Sequence, residues 1–272
     1  MTQASKDAAV IADRFLSARR SAAGLSAYPG DMPSSLDEAY AVQDAAIAAW
    51  NRPILGWKVG RVPPPLVRQF GTDRLAGPIF SSRVAQVDGI EIEMPIFDQG
   101  FAAAEAEFLL RIRRAPDPQQ TQFTLEEAAK LIDAVHVGIE VASSPLGAIN
   151  DLGPVAVVSD FGNNNGLVIG PPISDWRESG FEEWPVTTLI DGIEIGAGRA
   201  SSFPNGAVGS ARFLFELMAS RGIALLPGQW ISSGAVTGVH GAGPGQSVEA
   251  RFGDRFSVRC RLVAAKPEQD LC

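Results

Sequence analysis

The chain has 272 residues, 46% of them hydrophobic, and a formal net charge of −8. That is enough to bury a substantial core in one large domain, or in one with a smaller partner, and the acidic balance argues against a grip on nucleic acid or an anionic membrane. Two cysteines make neither a disulfide framework nor a zinc cage, no run of 18 apolar residues offers a membrane span, and the N-terminus lacks the apolar stretch of a signal peptide, so a cytoplasmic protein is expected.

Residues 1–52 read as a small helical region. "DAAVIADRFLSARRSA" carries a helical apolar stripe through Val10, Ile11, Phe15 and Leu16. "SSLDEAYAVQDAAIAAW" opens with Ser35 three residues before Glu38, the spacing of a capping box. From residue 53 to 272 the texture is that of short β-runs punctuated by Gly and Pro. Residues 84–94 and 186–198 each place an Asp-Gly between alternating residues, and "SVEARFGDRFSVRCRLV" alternates on both sides of Gly253 and Asp254; all three read as hairpins. Two helices are expected among the strands: "TLEEAAKLIDAV", with Thr124 and Glu127 at capping-box spacing, and "NGAVGSARFLFELMASRG", bounded by Asn205 and Gly222. Residues 157–172 read as strand, polar turn, strand.

The apolar stretch "FAAAEAEFLLRI" contains two carboxylates. On a strand, Glu105 and Glu107 share one face, and Ala104, Ala106, Phe108 and Leu110 take the other. Either the acidic face is wet, or the acids surround a cation; Mg²⁺ and Mn²⁺ prefer oxygen ligands. Glu140, late in the apolar run "AVHVGIEVASS", is a third acid that could join them if the strands adjoin. Lys58 interrupts the apolar "ILGWKVG" and is either snorkelling at an edge or buried against an anion. "ISSGAVTGVHGAGPG" is a loop that could offer backbone N–H groups to an anion. There is no Gly-x-Ser-x-Gly elbow, and His136 and His240, the only histidines, do not have zinc-site spacing. His136 reads as a structural neighbour of Glu140 rather than a ligand.

Taken in order, "SLDEAYAVQDA", "GWKVG", "GPIF", "EAEF", "GIEV", "SDFGNNNGLVIG" and "LLPGQWISSGAVTG" resemble the 2-keto-4-pentenoate hydratase and oxalocrotonate decarboxylase branch of the fumarylacetoacetate hydrolase superfamily, over residues 36 to 262. The resemblance implies an α+β protein: a mixed β-roll-like fold with the helical region 1–52 ahead of a catalytic domain at 53–272. It implies an oligomer, a divalent metal (Mg²⁺ or Mn²⁺) on Glu105, Glu107 and Glu140, and Lys58 beside the carboxylate or oxo group of a small oxo acid. The implied reaction is hydration of short 2-hydroxy-dienoates or 2-oxo-4-enoates in aromatic-compound breakdown. Decarboxylation of 2-oxo-enedioates, or a non-catalytic role as partner subunit to a related hydratase or decarboxylase, are the alternatives. Arg61, Asp160, Asn165, Ser233 and Thr237, in the matched motifs or beside them, are the candidate substrate contacts. Arg68 and Arg74 join Arg61 as candidates for a second substrate carboxylate. Relatives often follow the lysine motif with "LTS", whereas "GRVPPP" stands here, and the histidine of the superfamily's C–C hydrolases has no counterpart before His136.

Overall fold

Helical segments form where their apolar stripes find a partner. In the computed structural model, which describes residues 3–84 and 91–268, α1 (Gln3–Ser21) and α2 (Leu36–Trp50) pack together. Their inward residues Phe15, Leu16, Val42 and Ala46 form one cluster with Leu146, Ile149 and Phe161 from a later connection. The Ser35 hydroxyl accepts from the Glu38 amide at 3.2 Å, as the capping spacing requires. Glu38 returns the bond to the amide of Ser34 instead of Ser35.

The remaining elements, in chain order, are β1 (Gly56–Arg61), α3 (Pro64–Phe70), β2 (Arg74–Ile79), β3 (Ser82–Val84), β4 (Ile92–Ile96), β5 (Phe101–Ile112), α4 (Leu125–Lys130), β6 (Ile132–Ser144), α5 (Pro154–Ser159), β7 (Asn164–Pro172), β8 (Val186–Ile190), β9 (Ile193–Gly198), α6 (Gly206–Ser220), β10 (Trp230–Ser232), β11 (Ser247–Phe252) and β12 (Phe256–Ala264). They build a seven-stranded sheet, β2-β1-β10-β5-β6-β7-β3, and a five-stranded sheet, β4-β12-β11-β8-β9. Both mix parallel and antiparallel pairs, as expected for an α+β roll.

One connection determines the shape of the larger sheet. β2 and β3 lie at its opposite edges, yet only Phe80 and Ser81 separate them in the chain. The three Cα steps from Ile79 to Ser82 span about 11 Å at most, so the sheet must curl until its edges meet. Consistent with this, β2 packs against β7, and the Leu167 amide donates to the Ser81 carbonyl at 3.1 Å. The sheet therefore has an inner and an outer face. Ile79, Leu109, Leu167 and Ile169 cluster on the inner face, with Trp230 against them. The outer face, including Trp57, Val59, Ala104, Ala106, Phe108 and Leu110, forms the main core with the smaller sheet and α6. There Phe108 stands edge-on to Phe181 and Phe252, with ring centroids 4.8 and 5.2 Å away.

The hairpin at 186–198 forms around Asp191 (φ 51°) and Gly192 (φ 80°), and the one after β11 turns at Gly253 (φ 56°). The expected hairpin at 84–94 falls largely on residues outside those described. Two expectations are corrected. The helix at Thr124 has its full capping box but ends at Lys130, because "IDAV" is taken up as the start of β6, paired with β5. The first arm of 157–172 is helical: Pro154 opens α5 after Gly153, a favoured start because proline lacks the N–H that would go unsatisfied there. α6 starts at Gly206 with Asn205 in the N-cap position, as expected, but the Asn205 side chain makes no capping bond; Glu182 reaches across and accepts from the Ala207 amide at 2.8 Å.

The helical region is tied to the roll by a buried ion pair. Arg19 donates to both Asp160 oxygens, at 2.6 and 3.0 Å, and to Asn165 Oδ1 at 3.1 Å. Ser144 Oγ donates to Asp160 Oδ2 at 2.6 Å. Removing one partner of a buried pair leaves a charge uncompensated. Arg19→Met is therefore expected to cost about 3–5 kcal/mol of unfolding free energy in denaturant titrations, and a cost below about 1 kcal/mol would refute this role.

Candidate metal centre

Strand parity and register bring the site together. β5 and β6 pair antiparallel with Glu105 directly opposite Glu140, and Glu107 opposite Gly138. Directly opposed residues share a face, so all three acids point to the inner face of the roll. β10 lies between β5 and β1, and Ser232 is in register with Lys58, which places Lys58 on the same face. Its ammonium stands 3.3 Å from Glu140 Oε2. Lys58 is 6% exposed, Glu105 4%, and Glu107 and Glu140 are fully buried. Lys58 is thus buried against an anion, not snorkelling at an edge.

The turn Phe161–Asn163 covers Lys58 with three successive residues at positive φ. A Cβ at Gly162 would come within 3.0 Å of the lysine side chain, and one at Gly77 would strike the Phe161 carbonyl at 2.2 Å. Only glycine permits this approach of the turn to β2.

Each acid is held differently. Glu140 Oε1 accepts from Asn164 Nδ2 at 2.7 Å. Glu107 Oε2 accepts from Ser232 Oγ at 2.5 Å and from the Gly234 amide at 2.9 Å. Glu107 Oε1 is buried without a hydrogen-bond partner, and Glu140 Oε2 stands against the Lys58 ammonium. Burial, reinforced by the Glu140 charge, pushes the Glu107 carboxyl up to about 8. Burial raises Glu105 well above the usual carboxylate range, against the pull of Lys58 and with Glu140 and Glu107 adding to it. For Lys58, burial acts downward, but Glu140, Glu105 and Glu107 together outweigh it and raise the ammonium above its ordinary value.

One carboxylate oxygen from each acid lies within 4.8 Å of the others. A hard divalent cation with oxygen ligands at about 2.1 Å holds them roughly 3–4 Å apart, so small side-chain adjustments would bring the three oxygens onto one ion. The unpartnered Glu107 Oε1, the all-oxygen donor set and the crowding of negative charge fit such an ion.

Among the described residues, none of the other predicted side chains makes a hydrogen bond to the three acids. Asp160 and Asn165 are engaged at the Arg19 joint, with Asn165 also donating to the Pro95 carbonyl at 2.7 Å. Arg61 is exposed, its guanidinium 5.3 Å from the Phe203 ring centroid. Arg74, opposite Arg61 in register, is buried on Asp73 and the Pro204 carbonyl; Arg68 is exposed on α3. Thr237 Oγ1 pairs with Thr188 Oγ1 at 2.7 Å. Ser233 is buried and its hydroxyl is unpartnered. His136 Nδ1 contacts the Gly170 carbonyl at 2.8 Å and the ring stands edge-on to Trp230. Sequence reasoning missed Asn164 and Ser232, whereas the loop expected to offer backbone N–H groups to an anion does so through Gly234. For Ser232 a signal existed: parity along "WISS" is enough to separate the inward from the outward serine.

No known family's sequence profile matches the chain. Solved structures do. The fold is that of the fumarylacetoacetate hydrolase family, as in a putative member from Yersinia pestis CO92 (TM-score 0.55, 15% identity, 78% of this chain and 95% of that one). Among particular proteins, the chain is similar over nearly its whole length to 4-oxalocrotonate decarboxylase from Pseudomonas putida G7, complexed with magnesium and adipate. That match has a TM-score of 0.80, 19% identity, and covers 97% of this chain and 99% of that one. It is also similar to fumarylpyruvate hydrolase from Pseudomonas aeruginosa in complex with Mn²⁺ and pyruvate (TM-score 0.55, 16% identity, 77% and 89% covered). The resemblance read from seven short motifs is thus matched by the fold. Among the described residues, no helix is long and apolar enough to cross a membrane.

Proposed function

We propose that the protein is a divalent-metal-dependent lyase acting on short 2-oxo-4-enoic acids and their 2-hydroxydienoic tautomers, with hydration of the conjugated double bond as the first reading. The observation that carries it is the convergence of Glu105, Glu107, Glu140 and Lys58, all buried, on the inner face of the roll. Mg²⁺ or Mn²⁺ held by the three acids would supply Lewis acidity toward the 1-carboxylate and 2-oxygen of the substrate, favouring an enolate. Lys58 Nζ donates to the substrate's carboxylate or oxo group. A bound dication would offset much of the acids' charge that raises the Lys58 ammonium, while burial continues to act downward on it, which suits it to move a proton at the enolate carbon. The apolar cluster of Ile79, Leu109 and Leu167 on the same face keeps water from that end of the roll.

Decarboxylation of a 2-oxo-enedioate is the second reading, and the near-full-length likeness to the decarboxylase favours it. Both outcomes pass through a stabilised enolate. Following CO₂ release against loss of dienoate absorbance, on a panel of oxo-enoates with Mn²⁺ present, separates them. Metal binding without turnover on that panel would favour the non-catalytic partner subunit. A homo-oligomer, with possible association with a related hydratase or decarboxylase subunit, belongs to the same reading and is tested by sedimentation velocity.

The acids also make the metal-free protein sensitive to pH. A carboxyl raised from 4.5 to about 8 lends stability that is full below its unfolded value and is lost as pH rises through the folded one. The thermal midpoint of the metal-free protein is therefore expected to fall as pH rises from about 5 to about 8, between the unfolded and folded values. Added Mn²⁺ should raise it, and by more at the alkaline end. A midpoint that Mn²⁺ moves at neither end would count against the metal set.

A further inference from the structure

We propose that Ser210, on α6, is a positioning residue for Glu107 and acts through a single peptide plane; this rests on the metal reading above. The Ser233 carbonyl and the Gly234 N–H belong to one peptide group and point in opposite directions. The carbonyl accepts from Ser210 Oγ at 2.7 Å, and the N–H donates to Glu107 Oε2 at 2.9 Å. Ser210 has one hydroxyl proton, and its direction is set from behind: Arg74 Nε donates to Ser210 Oγ at 3.4 Å, leaving that proton to the Ser233 carbonyl. Arg74 is itself fixed by the Pro204 carbonyl at 2.6 Å and by Asp73 at 2.9 Å.

The plane has little freedom to do anything else. The Ser233 amide donates to the Phe108 carbonyl at 3.2 Å, and Gly234 sits at φ +113°, where side-chain-bearing residues are rarely found. A hydrogen bond to a peptide carbonyl polarises the group and strengthens its N–H as a donor. Ser232 Oγ donates to the same Glu107 oxygen at 2.5 Å. With two donors on Oε2, Oε1 is left without a partner, and this is the oxygen free to take a cation. Ser210, through the Gly234 N–H, thus reinforces Ser232 in fixing which oxygen of Glu107 is offered, from a helix that contributes no ligand of its own.

The test is a calorimetric titration of metal-free protein with Mn²⁺, comparing wild type with Ser210→Ala, Ser210→Cys and Ser210→Thr, and with Glu107→Gln as reference. Outer partners of metal ligands typically contribute tenfold or more to affinity. Ser210→Ala and Ser210→Cys should therefore weaken Mn²⁺ binding by about tenfold, while Ser210→Thr, which keeps the hydroxyl, should stay near wild type. The near-isosteric cysteine, a weak donor, carries the test if the alanine variant fails to fold. Mn²⁺ affinity unchanged in Ser210→Ala or Ser210→Cys, while Glu107→Gln has lost it, overturns the role of Ser210 and leaves the metal set standing. Wild type and Glu107→Gln binding alike, or neither binding, overturns the metal reading, and the role of Ser210 falls with it.

Discussion

Glu107→Gln is expected to weaken Mn²⁺ binding by more than about a hundredfold, beyond the usual cost of losing an outer partner, and to remove turnover, while the metal-free protein keeps its thermal midpoint or gains. The two halves have one cause. In the metal-free fold, burial and the neighbouring Glu140 make the charged form of Glu107 unfavourable, which is why its carboxyl is pushed to about 8. A neutral amide removes that penalty. Its carbonyl can still accept from Ser232 and Gly234, and its NH₂ would lie where the unpartnered oxygen faced the other acids. Stability and function are then opposed at this residue, as expected where a site is built for a ligand rather than for the fold. A variant that loses stability and keeps its metal affinity would mean that Glu107 serves the core alone.

Lys58→Met is expected to lower turnover by about 10²–10⁴-fold, the range for loss of a proton-transfer group, with Mn²⁺ affinity equal to wild type or tighter. The side chain keeps its length and apolar stem but loses the ammonium that competes for the same three carboxylates. In the metal-free state the acids lose their counter-charge and must take up protons, so a modest loss of stability at alkaline pH is expected and should vanish when Mn²⁺ is added. The contrary result is a folded variant that turns over normally, or one that loses metal and structure together; either makes Lys58 a structural counter-ion. Steady-state rates and Mn²⁺ titration on the same preparation distinguish these outcomes.

Strand periodicity was enough to place Glu105 and Glu107 on one face and to assign Ala104, Ala106, Phe108 and Leu110 to the other, because that parity is a local property of β5. The hairpin at Asp191 and Gly192 was readable for the same reason: a turn with two positive φ values selects those residue types. What escaped was set by partners far along the chain. Glu140 was named as the third acid, but its place opposite Glu105 rests on the register of β6 against β5, which a strand's own sequence does not set. The α4 segment keeps its helical periodicity to Val135, yet sheet pairing claims it from Ile132. Asp160 became a candidate through the resemblance alone, and nothing local to its turn shows that Arg19, 141 positions earlier, is buried against it. The curl of the seven-stranded sheet, which turns a strand face into an enclosed site, follows from two residues between β2 and β3 and from no motif at all.

Where a cation binds is the most direct test of the metal centre. Crystals of the protein grown with Mn²⁺ and oxalate, with anomalous diffraction recorded at a wavelength where manganese scatters strongly, would locate it. The expected result is one anomalous peak on the inner face of the roll, within about 2.3 Å of an oxygen from each of Glu105, Glu107 and Glu140, with oxalate completing the coordination and Lys58 beside it. A peak bound by other residues, or no peak between these three acids with the Lys58 ammonium still against Glu140, would contradict it.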